Sequence, residues 1–396
     1  MKINIFLFVL INLLLSLFSS AQSAHALDSL EQILRNAGND TNRVNTLNSL
    51  AYILRKNDPT KGLQYGDEAI KLSGQLNFKK GMASGYNSKG LLNYQLAKYS
   101  ESKECYLKSI AIYQEIKNQV GVADVLGNIG NVYIDEGKYD SALEYHLKSL
   151  KIEQEMGNKI GISDSYYSIG TIYEAKANYD SANMYYIDDI KIQDEIGNIG
   201  KIADDYNSLG NISLATNLPD KAIEYYQKSK ALKETLKDTV GVAYALNNIG
   251  NAYIRKEQYE NALKSLSEAL VFLQKLDNKK GMIDCINNMG GLYYYQKNYS
   301  KALELFTKSK VLSEQTNNQL GVATALINIG EANMELKHYD SAAKYFNEGL
   351  RISRQISAKD RIEAAYEGLS DNYSRAGDFK NAYIFYKHYS EIKDSI

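Results

Sequence analysis

Asparagine and aspartate return along this chain at equivalent places: Asp124, Asn128 and Asn131, then Asp164, Asp204, Asn211, Asn248, Asn251, Asp284, Asn288 and Asn328. A side-chain amide offers a donor and an acceptor together, so a column of amides can hydrogen-bond an extended peptide backbone without reading its sequence closely. The plainer alternative is a solvated helix face, since exposed polar stripes are the rule. Residue type argues for the column. Lys, Glu, Gln and Arg form helices better than Asn and Asp, and a merely wet face is better filled by them. The stripe also carries Thr171, and its charges are Asp124, Asp135, Asp164, Asp204, Asp284, Glu331 and Glu335 against the single Arg255. That balance favours a neutral or basic protein or peptide as partner.

Other chemistry lacks its residues. The histidines His25, His146, His338 and His388 show no metal-ligand spacing, and no nucleophile elbow, phosphate loop or zinc signature occurs. We expect no catalysis, no metal and no cofactor. Lysine and arginine total 46 against 47 acidic residues, so no long-range field draws the chain to nucleic acid or an anionic membrane. Cys105 and Cys285 are widely separated in sequence, too far apart in a linear array for a disulfide, and both read as small buried residues.

The elements that must carry the polar column follow from a repeat. Glycine recurs at Gly90, Gly130, Gly170, Gly210, Gly250, Gly290 and Gly330, and alanine at Ala142, Ala182, Ala222, Ala262, Ala302, Ala342 and Ala382, always at the interval that separates Gly90 from Gly130. An aromatic recurs at Tyr99, Tyr139, Tyr179, Tyr259, Tyr299, Tyr339 and Phe379, with Pro219 in the vacant slot. Gly81, Gly121, Gly161, Gly241, Gly281 and Gly321 mark the start of each unit. Apolar residues follow a helical period twice per unit, first as Val122, Leu126, Ile129 and Tyr133, then as Tyr139, Ala142, Leu143, His146 and Leu150. Each unit is therefore a pair of helices, turned at Gly137-Lys138 and separated from the next pair at Gly157-Asn158. Glycine inside a helix costs about 1 kcal/mol relative to alanine, so its recurrence implies close helix approach. The tyrosines at 133, 173 and 253 fall on the core face, whereas Tyr244, Tyr294 and Tyr295 lie nearer the polar stripe.

The segment Asn128-Ile129-Gly130-Asn131-Val132-Tyr133, followed by Gly137-Lys138-Tyr139-Asp140-Ser141-Ala142-Leu143-Glu144-Tyr145, resembles the tetratricopeptide repeat. The commonest form of that family repeats every 34 residues. This array is longer and resembles the 40-residue subclass, in which both helices are extended. Nine units fit residues 41–396, starting at 41, 81, 121, 161, 201, 241, 281, 321 and 361, after a capping helix within 27–40. Leu50 and Gly62 in the first unit and Ser370 in the ninth depart from the pattern, as capping units do. The resemblance implies an all-α fold, a right-handed superhelical solenoid of antiparallel helix pairs, with the first helix of each pair lining a concave wall. The polar column then faces that wall. The lysine and arginine clamp with which some family members hold a terminal carboxylate has no counterpart on the stripe.

Residues 1–21 read as a secretory signal, with Met1-Lys2 followed by an apolar stretch from Ile3 to Phe18. That stretch is interrupted by Asn4 and Asn12 and is too short to span a membrane, which takes about 20 apolar residues. Ser19-Ser20-Ala21 and Ala24-His25-Ala26 both suit a signal peptidase, and we favour cleavage after Ala21. The expected product is exported, periplasmic or secreted, with no membrane span. Two roles compete: a binding scaffold for a peptide or protein, and the sensory region of a truncated or split signalling protein of the histidine-kinase or transcriptional-regulator type, which this array also resembles. An enzyme built on the array is a third role, without candidate residues. The last helix carries Ala382, Phe385, Tyr386, Tyr389 and Ile392 with nothing after it to cover them, which suggests a partner or a dimer there.

Overall fold

A computed structural model describes residues 27–393. The signal-peptide reading of residues 1–21, both cleavage motifs and residues 394–396 lie outside the described residues. The chain divides into two compact units, one through Asp205 and one from Tyr206 onward. All regular structure among the described residues is helical.

The first unit opens with α1 (27–36) and continues with α2 (Thr41–Leu54), α3 (Pro59–Gln75), α4 (Lys79–Gln95), α5 (Tyr99–Glu115), α6 (Gln119–Asp135), α7 (Tyr139–Met156), α8 (Lys159–Ala175), α9 (Tyr179–Glu195) and the start of α10 (Ile199–Ala215). The second holds the rest of α10, then α11 (Pro219–Thr235), α12 (Thr239–Arg255), α13 (Tyr259–Lys275), α14 (Lys279–Tyr295), α15 (Tyr299–Gln315), α16 (Gln319–Glu335), α17 (Tyr339–Gln355), α18 (Lys359–Arg375) and α19 (Phe379–Lys393). Within each unit a helix packs on its successor. Even-numbered helices also meet one another: α2 with α4, α4 with α6 and α6 with α8 in the first unit, and α12 with α14, α14 with α16 and α16 with α18 in the second. These are the first helices of the pairs, and their crowding places them on the inner side of each stack.

A residue with left-handed backbone recurs twice per repeat from Asn77 to Gly377 and ends one helix before the next begins. Only Gly137, Gly157, Gly197 and Gly377 are glycines among these; Ala97, Ala177, Glu257 and Lys297 adopt the same positive φ. Each closing turn is hydrogen-bonded, as where Lys138 N donates to Tyr133 O at 2.8 Å. Several first helices are capped by a preceding side chain: Asn118 accepts from Gly121 N at 3.1 Å, Asp238 from Gly241 N at 2.9 Å and Asn318 from Gly321 N at 3.0 Å. Several second helices carry an acidic residue in the first turn, and Asp140 there in α7 also pairs with Lys176. Pro219 takes the first turn of α11.

In the seven first helices from α4 to α16 the central glycine makes room for one side chain of its partner helix, at the same offset in each of these pairs. Tyr106 lies on Gly90, His146 on Gly130, Tyr186 on Gly170, Tyr226 on Gly210, Leu266 on Gly250, Phe306 on Gly290 and Phe346 on Gly330. A methyl group at Gly170 would come within 2.9 Å of Tyr186, and one at Gly330 within 2.8 Å of Phe346. Tyr106, Tyr186, Tyr226 and Phe346 are among the largest fully buried side chains. Burying such a ring stabilises by roughly 1.5–3 kcal/mol. These rings, not Tyr133, Tyr173 and Tyr253, form the deepest aromatic layer, since those three are only half-buried beside them. The repeated alanines of the second helices are buried, as are Cys105 and Cys285, both free thiols.

The last helix needs a correction. Phe385, Tyr389 and Ile392 turn back onto the cluster of Phe346, Tyr366 and Leu369, so they are not an open face. The exposed side is made instead by Phe379, Tyr383 and Tyr386, with Phe379 72 % and Tyr383 71 % exposed. Phe379 occupies the repeated aromatic slot, which is half-buried at Tyr99 and Tyr139. Among the described residues no helix is long and apolar enough to cross a membrane.

Candidate functional site

A groove of about 560 Å³ runs across the inner helices of the first unit. It follows a diagonal: Tyr52 and Arg55 near the end of α2, Asn87 and Leu91 on α4, Asp124, Asn128 and Asn131 on α6, Asp164 and Ser168 on α8, and Lys201 at the start of α10. Its size falls within the ~300–1,000 Å³ of small-ligand sites, suiting a few residues of extended chain better than a folded surface. Gly127 lies in its wall, and nothing stands within 4 Å of where a Cβ would project.

Four of the expected residues, Asp124, Asn128, Asn131 and Asp164, meet in this groove. Asn128 also has a second duty: its amide donates to Asn87 Oδ1 at 3.0 Å, from one first helix to the previous one. The second unit repeats the bond, Asn248 to Asn207 at 2.8 Å and Asn288 to Asn247 at 3.0 Å. The amide column is thus partly a ladder that clips neighbouring inner helices together. Each donor amide keeps one N–H and its carbonyl oxygen for other use. Asn287 breaks the pattern, its Oδ1 buried without a partner beneath the α14–α16 wall.

The groove's floor comes from α7, which the stripe does not contain. His146, Ser149 and Glu153 reach it from beneath. Ser149 Oγ donates to Ala123 O at 2.9 Å, whereas His146 Nε2 and Glu153 Oε2 are buried without a hydrogen-bond partner. Burial pushes His146 down to about 4, so it is neutral. Burial pushes the Glu153 carboxyl up; a hydrogen bond with Asn158 works against this, and Asp124 and Asp164 add to it. Asp124 is raised by desolvation and then by Asp164. Asp164 pairs with Lys201 at 3.1 Å. Arg55 lies over the Tyr52 ring at 3.7 Å and donates to the Tyr52 carbonyl at 2.7 Å. The stripe misses both cations because a diagonal groove leaves a line drawn along equivalent positions. One signal for Glu153 was present: its slot holds no other carboxylate, being Tyr113, Gln193, Lys233, Leu273 and Ser313 in other pairs.

The remaining expected residues are not gathered into this groove. Asp204 is exposed on α10, and Asn211 accepts from Tyr226 Oη at 2.8 Å. Asn248, Asn251, Asn288 and Asn328 are half-buried along α12, α14 and α16, with Asp284 exposed beside them. Thr171 donates to the Ser168 carbonyl at 2.8 Å. In the second unit Tyr244 is half-buried with its hydroxyl 3.4 Å from Asn278, Tyr294 contacts Glu335 at 3.5 Å, and Tyr295 is exposed. Burial pushes Glu331, on the same wall, up to about 7. Among the described residues no group of three or more His, Cys, Asp or Glu side chains is placed to hold a metal ion.

The family model described as Tetratricopeptide repeat matches residues 81–155, 121–189, 202–275, 241–315 and 282–355. No curated protein matches the sequence. Among solved structures, apo RapI is similar over 89 % of this chain and 97 % of its own, at 16 % identity and a TM-score of 0.63. A Rap protein complexed with competence and sporulation factor is similar over 87 % and 96 %, at 14 % identity and 0.55. A signal-transduction ATPase with numerous domains and a tetratricopeptide repeat sensor, from Pyrococcus horikoshii, is similar over 81 % of this chain and 50 % of its own, at 13 % and 0.59. At these identities the likeness is one of fold.

Proposed function

Because the chain belongs to the tetratricopeptide repeat family, we propose that it is a non-catalytic scaffold that binds an extended peptide, or an extended segment of a protein, across the inner helices of its first unit. The observation that carries this reading is the diagonal groove, where polar side chains from successive repeats converge in one cavity with amide and carboxylate groups to spare. The Rap protein complexed with competence and sporulation factor supports it as a precedent for this architecture engaging a factor. Carboxylates outnumber cations along the wall, which favours a neutral or basic partner. Residues 1–21 have the character of a secretory signal, and we place the site of action outside the cytoplasm, in a periplasmic or secreted mature chain.

The test is selection of a random peptide library on the protein lacking residues 1–21, beside the same protein carrying Gly127→Tyr. The tyrosine projects into open groove and replaces a helix-interior glycine, so it obstructs the site without a stability penalty. We expect peptides that bind wild type and not the variant. Failure to select any binder, or binders indifferent to the substitution, contradicts the proposal.

A further inference from the structure

We infer that Asp124, Glu153 and Asp164 form an acidic subsite of the groove that seats a cationic side chain, lysine or arginine, of the bound peptide. The inference rests on the groove reading and adds the chemistry of one anchor. The three carboxylates line the same cavity from three helices, α6, α7 and α8. Glu153 is the informative member. It is 2 % exposed and projects from a second helix onto Gly161, in a slot that holds Tyr113, Gln193, Lys233, Leu273 and Ser313 in other pairs and no other carboxylate.

Its Oε2 is buried without a hydrogen-bond partner, Asn158 being the one side chain that bonds the carboxyl. A buried acceptor without a partner is costly, and it recovers that cost when a donor arrives. His146, also 2 % exposed, adds a second unpartnered polar atom, Nε2, to the same floor. The imidazole is neutral and supplies no positive charge to the acids above it.

The two cations of the groove leave two of the three carboxylates, Asp124 and Glu153, uncompensated. Lys201 is committed to Asp164 at 3.1 Å, and Arg55 stands at the other end of the diagonal against Tyr52. Among the described residues of the first unit neither Asp124 nor Glu153 has an ion pair, and burial first, then the carboxylates nearby, makes each hold its proton more tightly. A guanidinium or ammonium group offers several donors and one positive charge at once. It answers both the missing hydrogen bond and the mutual repulsion.

The experiment uses fluorescent, acetylated and amidated nonapeptide pools, degenerate except for a central arginine in one pool and citrulline in the other. Fluorescence anisotropy reads their binding to wild type, Glu153→Gln, Asp124→Asn and Gly127→Tyr. Charged hydrogen bonds predict that wild type favours the arginine pool roughly ten- to hundred-fold. Glu153→Gln brings that preference toward unity, and Gly127→Tyr loses both pools. Asp124→Asn, at an exposed position, repeats the test should the buried substitution disturb folding. Equal binding of the pools by wild type, or a preference that survives both carboxylate substitutions, overturns the subsite and leaves the groove standing. Failure of wild type to bind either pool overturns the groove itself and the subsite with it.

Discussion

The amide of Asn128 on α6 donates to Asn87 Oδ1 on α4, 3.0 Å away and 41 residues earlier. The step is one residue more than the repeat, and it recurs at Asn248–Asn207 and Asn288–Asn247. An asparagine column that looks like ligand chemistry is therefore also a fastening between consecutive repeats. Losing one partner leaves the other amide half-buried and short of a bond. We expect Asn87→Ala and Asn128→Ala each to destabilise by about 1 kcal/mol, and the double variant by less than their sum. A calorimetric double-mutant cycle measures the coupling; strict additivity removes the fastening role.

Two glycines of one helix should respond in opposite directions. Gly127 meets open space, so Gly127→Ala gains helix propensity and raises stability by about 1 kcal/mol. Gly130 lies under His146, and Gly130→Ala overpacks that contact at a cost of about 1–3 kcal/mol. Thermal unfolding of the two variants side by side decides it, and equal shifts contradict the packing account.

The helix-ending turns test a backbone argument. Ala177 holds a left-handed conformation, φ 54°, that costs a non-glycine residue about 1–2 kcal/mol, whereas glycine loses about 0.5–1 kcal/mol of chain entropy. Ala177→Gly should therefore raise the melting temperature slightly, and Gly137→Ala, at φ 71°, should lower it. A loss of stability in Ala177→Gly refutes the assignment.

Asp189 and Asp205 face each other, fully buried, with Ser163 beside Asp189. Burial pushes Asp189 up to about 6; burial and then the Asp189 charge push Asp205 up to about 9. Ser163 and Asp164 on α8 and Lys201 and Asp204 on α10 are the polar neighbours that set these values. Each carboxyl holds its proton to a higher pH in the folded state than in the unfolded chain, where it leaves near the ordinary value of 3.8. Stability from this pair is therefore greatest below that pH and declines as pH rises toward about 9. Asp205→Asn should flatten the decline and raise the melting temperature at pH 8. An unchanged pH profile sinks the assignment.

The helix pairs were legible in the sequence because close helix approach admits only small residues, and Gly130 or Ala142 therefore returns at every equivalent place. What covers the glycine was not legible, since Tyr, His, Leu and Phe all serve at that slot. Asp124, Asn128, Asn131 and Asp164 could be placed together by helical angle alone. Arg55, Lys201 and Glu153 could not: the first two enter through the diagonal course of the groove, and the third rises from the partner helix. The bond from Asn128 to Asn87 depends on the stagger of neighbouring helices, which periodicity within one helix does not encode.

The central claim is that ligand lies on the inner helices of the first unit, and hydrogen–deuterium exchange with a library-selected peptide tests it most directly. We predict that saturating peptide slows exchange in α4, α6 and α8 around Asn87, Asn128 and Ser168, with α5 and α9 unchanged. Slowed exchange confined to α5 and α9, or to α19 at Phe379 and Tyr383, contradicts the account.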